Sequence, residues 1–213
     1  MIFFDLDGPI LDVSKKYYKI YSDILSQNGF KALSKSEYWS AKREKISDLE
    51  ILRKSSAEPF IGKYLYERKL LIESDPYLIY DKLQDGALYI LEILYKKNEL
   101  VLVTLRTYQE QLHKQLEYLN IKKYFVAVLS TGEETKPRWK IKYNLIKDFL
   151  NKKMSTGNIL IGDTETDVLA GKELGFKTIV VLNGIRTKEI LLKSSPDFIC
   201  KSIKDLSNFE SIY

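Results

Sequence analysis

The sequence predicts an α/β fold, a doubly wound and mostly parallel sheet carrying an all-helical insert. Three observations predict it. Short apolar runs recur along the chain, each followed by a stretch of helical periodicity. Most of these runs are too apolar and too rich in Val and Ile to be half-exposed antiparallel strands, and so read as buried parallel ones. One long region, from about Val13 to about Gln84, lacks any convincing strand.

The runs, in order, are IFF at 2–4, LVLV at 100–103, the weaker FVAVL at 125–129, NILI at 158–161 and TIVV at 178–181. PDFIC reads as an edge strand, and KSIKDL after it as a last turn of helix. Between the runs, TYQEQLHKQLEYLN, IKYNLIKDFL and TDVLAGKELG have helical spacing, the last ending at Gly175, and a short helix is expected near Lys188–Lys193. Alternation of this kind winds a parallel sheet with helices on both faces. In the insert, Tyr17, Ile20, Tyr21, Ile24 and Leu25 fall on one helical face, and Gly29 can end that helix. Ser34 or Ser36 caps a second helix with Glu37 as its capping-box partner. SDLEILRKSS and PFIGKYLYERKLLIES continue the helical character. The expected domains are therefore residues 1–12 with 85–213, and an insert over 13–84.

Composition bounds the function. The chain has 213 residues, 45% hydrophobic and 30% charged, as in an ordinary globular protein. No segment approaches the roughly 20 apolar residues that cross a membrane. Asp5 and Asp7 interrupt the start too early for a signal peptide, and the one cysteine, Cys200, cannot form an internal disulfide. A cytoplasmic protein with no membrane partner is the expectation. The net charge of +5 comes from lysines interleaved with acids. No block of like charge stands out, so nucleic acid is not an expected partner. A monomer and a homodimer both fit.

In an open parallel sheet, active residues gather at the carboxyl ends of the strands. There the first strand offers Asp5, then Asp7 and Gly8; LVLV leads to Thr104; NILI leads to Asp163, with Asp167 one helical turn on. The loop after FVAVL carries Lys136. Carboxylates held close together need a cation or raised pKa values. A hard oxygen-ligand set suits Mg²⁺, and a lysine with a hydroxyl beside it suits a phosphoryl group. A carboxylate can itself attack phosphorus and form an aspartyl-phosphate.

FFDLDG, VLVT, TKP and GDTETD, in this order and spacing, resemble the haloacid dehalogenase superfamily. The resemblance spans Ile2 to about Leu206 and implies a Rossmann-like core with a helical cap. It further implies a Mg²⁺-dependent phosphatase acting on a small phosphorylated metabolite. Asp5 is then the nucleophile and a metal ligand, and Asp7 the acid and later the base, its backbone carbonyl on the metal. Thr104 bonds the phosphoryl group, Lys136 neutralises charge, and Asp163 and Asp167 ligate the metal or orient a metal-bound water. An acid at position 7 favours phosphatase chemistry over carbon–halogen cleavage. Pro9 departs from the usual Thr or Val and removes a backbone donor. The lysine is left open between Lys136, the first choice, and Lys140 or Lys142. Gly8 and Arg106 are candidate substrate contacts, as are Lys42 and Arg43, which with Lys45 form the insert's densest basic cluster. Asp12 is expected to cap the insert's first helix, and Asp163 to cap the helix that follows it. Two other functions remain open. One is a phosphomutase similar to β-phosphoglucomutase. The other is a phospho-accepting receiver domain, although a receiver carries its acceptor on a middle strand and has no large insert.

Overall fold

The computed structural model describes residues 1–132, 137–151 and 157–208. The first apolar run forms β1 (Ile2–Phe4). β2 (Leu11–Asp12) and β3 (Lys82–Leu83) are two-residue strands that pair as a separate ribbon. The other runs form β4 (Leu100–Val103), β5 (Phe125–Leu129), β6 (Ile159–Gly162), β7 (Lys177–Val181) and β8 (Phe198–Cys200). With β1 they build a six-stranded sheet in the order β5-β4-β1-β6-β7-β8, each neighbouring pair parallel. The direction of winding reverses at β1, and that reversal opens the crevice in which such sheets hold their ligands. Phe4 is level with Leu102 on one side and Ile161 on the other. The residues just beyond β1, β4 and β6 are therefore brought side by side.

Two compact units share the chain, Met1–Asp12 with the residues from Leu83 onward, and Val13–Lys82. In the helical unit, α1 (Ser14–Gln27), α2 (Lys35–Arg43), α3 (Asp48–Lys54), α4 (Ile61–Leu71) and α5 (Asp75–Leu78) follow one another. Ile20, Tyr21, Ile24 and Leu25 of α1 face inward, with Tyr21 stacked on Tyr38 of α2 at 4.4 Å between ring centroids. Ser34 with Glu37 and Ser47 with Glu50 close capping boxes on α2 and α3. Lys16 and Asp81 form a fully buried ion pair at 2.7 Å.

In the sheet unit, α6 (Ala87–Tyr95), α7 (Gln109–Tyr118), α8 (Arg138–Leu150), α9 (Glu165–Glu173) and α10 (Lys188–Leu192) cross between strands. α6 lies in a stretch for which the sequence reading offered no helix; its buried Ala87, Ile90, Leu91 and Leu94 have helical spacing. Phe3 of β1 packs edge-on to Phe149 and stacks on Phe176, among Val101, Val103, Ile146 and Leu160. Each such apolar side chain taken from water contributes roughly 1.5–3 kcal/mol. This packing fixes β1, and so fixes where Asp5 emerges.

Two expectations need correction. Asp12 does not cap α1: it lies in β2, the helix starts at Ser14, and the N-cap is Val13. The strand pairing carries the backbone through Asp12 before it can turn helical. The helical unit also ends at Lys82 rather than Gln84. Gln84 belongs to the sheet unit, where its N–H donates to Ile10 O at 2.8 Å.

Candidate active site

Asp5 directly follows β1. Its N–H donates to Ile161 O at 2.9 Å, which continues the ladder and fixes the backbone. Its Oδ1 accepts the Leu6 N–H at 2.9 Å and lies 3.1 Å from Lys142 Nζ. The chain then turns at Gly8, whose φ of +111° favours glycine and whose hypothetical Cβ would stand 2.0 Å from Asp163 Oδ2. Asp163 directly follows β6. The N-cap of α9 is Thr164, not Asp163, and Asp167 is its reciprocal partner. Asp167 Oδ2 accepts from the Asp163 N–H, the Thr164 N–H and the Thr164 hydroxyl. Asp163 Oδ2 accepts the Ile185 N–H from the loop after β7. A Cβ on Gly162 would meet Asp167 Cγ at 2.1 Å, and one on Gly184 would meet Asp163 Oδ2 at 2.2 Å. Glycine at these positions makes room for the two carboxylates.

Asp5, Asp163 and Asp167 each offer a carboxylate oxygen, and these oxygens lie within 4.8 Å of one another. Lys142, 1% exposed on α8, stands among them and donates to Asp167 Oδ1. Burial pushes the Asp5 carboxyl up to about 7; Lys142 opposes the shift, while Asp167 and Asp7 add to it. Burial, then the charges of Asp5 and Asp167, hold Asp163 well above the carboxylate range. Burial works against the charge of Lys142, yet Asp167 and Asp5 outweigh it and raise its pKa. Among the described residues, one lysine thus faces three acids. Asp163 Oδ1 is buried with no hydrogen-bond partner among the described residues. A buried excess of hard oxygen ligands, one of them aimed at no protein donor, fits a divalent cation such as Mg²⁺.

Asp7 and Arg106 form a second cluster. Arg106 Nε donates to Asp7 Oδ2 at 3.0 Å and Nη2 to Asp7 Oδ1 at 2.5 Å. Nη1 donates to Gln115 Oε1 on α7. Arg106 is 4% exposed, whereas the Asp7 side chain retains 20%. Thr104, buried at the end of β4, donates its N–H to Leu129 O at 2.9 Å and accepts the Arg106 N–H on Oγ1 at 3.4 Å. Gln84 Nε2 donates to the carbonyls of Gly8 at 2.9 Å and Asn183 at 3.2 Å, tying the loop after β1 to the loop after β7.

The structure therefore brings Asp5, Asp163, Asp167 and Lys142 together, with Gly8 against Asp163, and it pairs Asp7 with Arg106. Lys136 lies outside the described residues. Lys140 is exposed, its ammonium over the Trp139 ring. Lys42 and Arg43 lie on α2 of the helical unit, where Lys42 pairs with Asp48 at 3.0 Å. Gln115, Gln84 and the Ile185 N–H were not singled out from sequence. Gln115 shares the buried face of α7 with Leu112 and Leu116, and that spacing was the available signal. The other two depend on long-range placement.

Buried carboxylates thus meet at the switch point of a doubly wound sheet. The family model described as haloacid dehalogenase-like hydrolase matches residues 2–181, and the chain belongs to that family. It is 28% identical to the phosphoglycolate phosphatase of Aquifex aeolicus over 97% of this chain and 94% of that one. It is 26% identical to the pyrophosphatase PpaX of Halalkalibacterium halodurans, over 57% of each chain. In structure it is similar to a haloacid dehalogenase-like hydrolase of Streptococcus pneumoniae, with a TM-score of 0.78, 19% identity, and 97% and 96% of the two chains covered. No helix among the described residues is long and apolar enough to cross a membrane.

Proposed function

We propose that this hydrolase is a Mg²⁺-dependent phosphatase of a small phosphorylated metabolite, working in the cytoplasm through an aspartyl-phosphate. The observation that carries the reading is the Asp5 carboxylate at the end of the central strand, 3.1 Å from a buried lysine and grouped with Asp163 and Asp167. The names of the two relatives, a phosphoglycolate phosphatase and a pyrophosphatase, support a small substrate.

In the first step an Asp5 oxygen forms a bond to phosphorus and the ester P–O bond breaks. The leaving oxygen takes its proton from Asp7, which must leave its ion pair with Arg106 to carry one. In the second step Asp7 removes a proton from water, the water oxygen attacks phosphorus, and the bond to Asp5 breaks. Inorganic phosphate leaves and Asp5 is restored. Lys142 takes the lysine role: its ammonium offsets charge on Asp5 as the phosphoryl group arrives. The Thr104 hydroxyl donates to a phosphoryl oxygen. Asp5, Asp163, Asp167 and the Asp7 backbone carbonyl would hold Mg²⁺. When bound, the cation offsets the carboxylate charge and the charge on the phosphoryl oxygens.

The test is phosphate release from a panel of small phosphoesters with Mg²⁺, for wild type and Asp5→Asn. Release that vanishes in the variant is expected. Turnover that survives Asp5→Asn would remove the nucleophile assignment. Phosphate moved between positions of a sugar, with none released, would mark a mutase instead.

A further inference from the structure

We propose that Arg106 is the receptor for a second oxyanion on the substrate, so that the preferred substrates carry a carboxylate or phosphate on the leaving group. The inference rests on the phosphatase reading and names the substrate class of the same site.

The geometry of the guanidinium supports this. Gln115, 7% exposed, accepts from Nη1 and fixes the plane of the group. Nε and Nη2 then face Asp7 as a fork, each donating to one carboxylate oxygen. This is the arrangement in which arginine recognises a two-oxygen anion. The fork is 4% exposed and its partner is the more exposed side. An incoming anion therefore meets Asp7 first and can take its place on a guanidinium that is already oriented.

Position on the substrate follows from Asp7. A group that protonates the leaving oxygen must lie within hydrogen-bond reach of it, about 3 Å. Arg106 is in contact with both oxygens of Asp7, so it stands beside whatever follows the leaving oxygen. An anion one to three bonds beyond that oxygen can reach the fork; a neutral alkyl group gains nothing there.

Charge points the same way. Lys142 is committed to Asp5 and Asp167. A leaving group with its own negative charge needs a cation on its side of the site, and Arg106 is placed to supply it. A carboxylate two bonds from the leaving oxygen and the second phosphate of an anhydride share this chemistry.

The test compares phosphoglycolate, pyrophosphate and ethyl phosphate as substrates of wild type, Arg106→Gln and Arg106→Lys, with Mg²⁺ present. Wild type should prefer at least one of the two anionic substrates over ethyl phosphate by kcat/KM; which one identifies the source of the oxyanion. In Arg106→Gln that preference should fall by roughly tenfold or more, mainly through KM, since a charged hydrogen-bond pair is lost. Arg106→Lys should restore only part of it, because an ammonium cannot present the fork. Should Arg106→Gln fail to fold, the lysine variant alone decides: a preference unchanged from wild type overturns the inference. Equal losses on all three substrates would also overturn it, leaving Arg106 a positioning residue for Asp7. Wild-type turnover of ethyl phosphate without preference defeats the inference but leaves the phosphatase reading intact. No turnover of these three, with phosphate released from another ester of the panel, defeats the inference alone; no release from any ester defeats both.

Discussion

Replacing Lys142 with methionine keeps the length of the side chain and removes its charge from among three buried acids. The ammonium is 1% exposed, 3.1 Å from Asp5 and hydrogen-bonded to Asp167. At an effective dielectric near 20, unit charges at that separation attract by about 5 kcal/mol. Most of this offsets the cost of burying the lysine. What remains after its removal is a set of acids that has lost its lysine partner, and breaking a buried pair from one side costs about 3–5 kcal/mol. For a chain of this size each kcal/mol moves the melting temperature by roughly 2–4 °C, so a loss of about 6–20 °C is expected. The assay is thermal unfolding at pH 8 and pH 5.5, with a chelator and with Mg²⁺. Lys142 stays charged across this range, since its pKa is raised from an already high value. The change with pH therefore belongs to the acids. Asp5 and Asp163, with raised pKa values, take up protons as pH falls, so the penalty should be large at pH 8 and smaller at pH 5.5. Mg²⁺ should recover part of it by supplying positive charge. A variant that melts within a degree or two of wild type at pH 8, or a penalty independent of pH, would refute this account of the site.

Gly162→Ala should be destabilised by about 1–3 kcal/mol and bind Mg²⁺ more weakly, because the new methyl group would lie 2.1 Å from Asp167 Cγ and 2.3 Å from its Cβ. Thermal melts and a Mg²⁺ titration check this, and an unchanged metal affinity would count against Asp167 as a ligand. Metal-free wild type should lose stability as pH rises from 5.5 to 8. Asp5, raised to about 7, and Asp163, also raised by burial, bind more protons folded than unfolded in that window. Mg²⁺ should flatten the slope, and a metal-free protein whose melting temperature climbs over that range would contradict the raised carboxyls.

Much of the sheet was legible in the sequence because its strands are buried on both faces. IFF and LVLV have no exposed side to interrupt the apolar run, and their ends mark where the acids lie. Asp163 and Asp167 were legible for the same reason: one is fixed by a strand end and the other by a single helical turn. The lysine was not. Three candidates fall within seven residues; Lys136 lies outside the described residues, and helical register separates the other two: Lys142 shares the buried face of α8 with Ile141 and Ile146, while Lys140 faces water. A lysine in step with an apolar stripe was the readable clue to the burial of Lys142. Asp12 misled because an acid just ahead of a helical pattern is a common cap, and nothing local reveals that Leu11 and Asp12 pair with a strand seventy residues on. The partnership of Arg106 with Asp7 joins residues 99 apart in sequence, so it too depends on the fold.

The glycines against the acids bear on how natural variants of this protein should be read. Gly8, Gly162 and Gly184 contribute no donor, acceptor or charge, yet a single added carbon at any of them would occupy the place of an Asp163 or Asp167 atom. A reader scanning variants for altered functional groups would pass over all three. The space the carboxylates occupy is therefore drawn partly by backbone with nothing attached, and a change from glycine there is expected to displace Asp163 or Asp167.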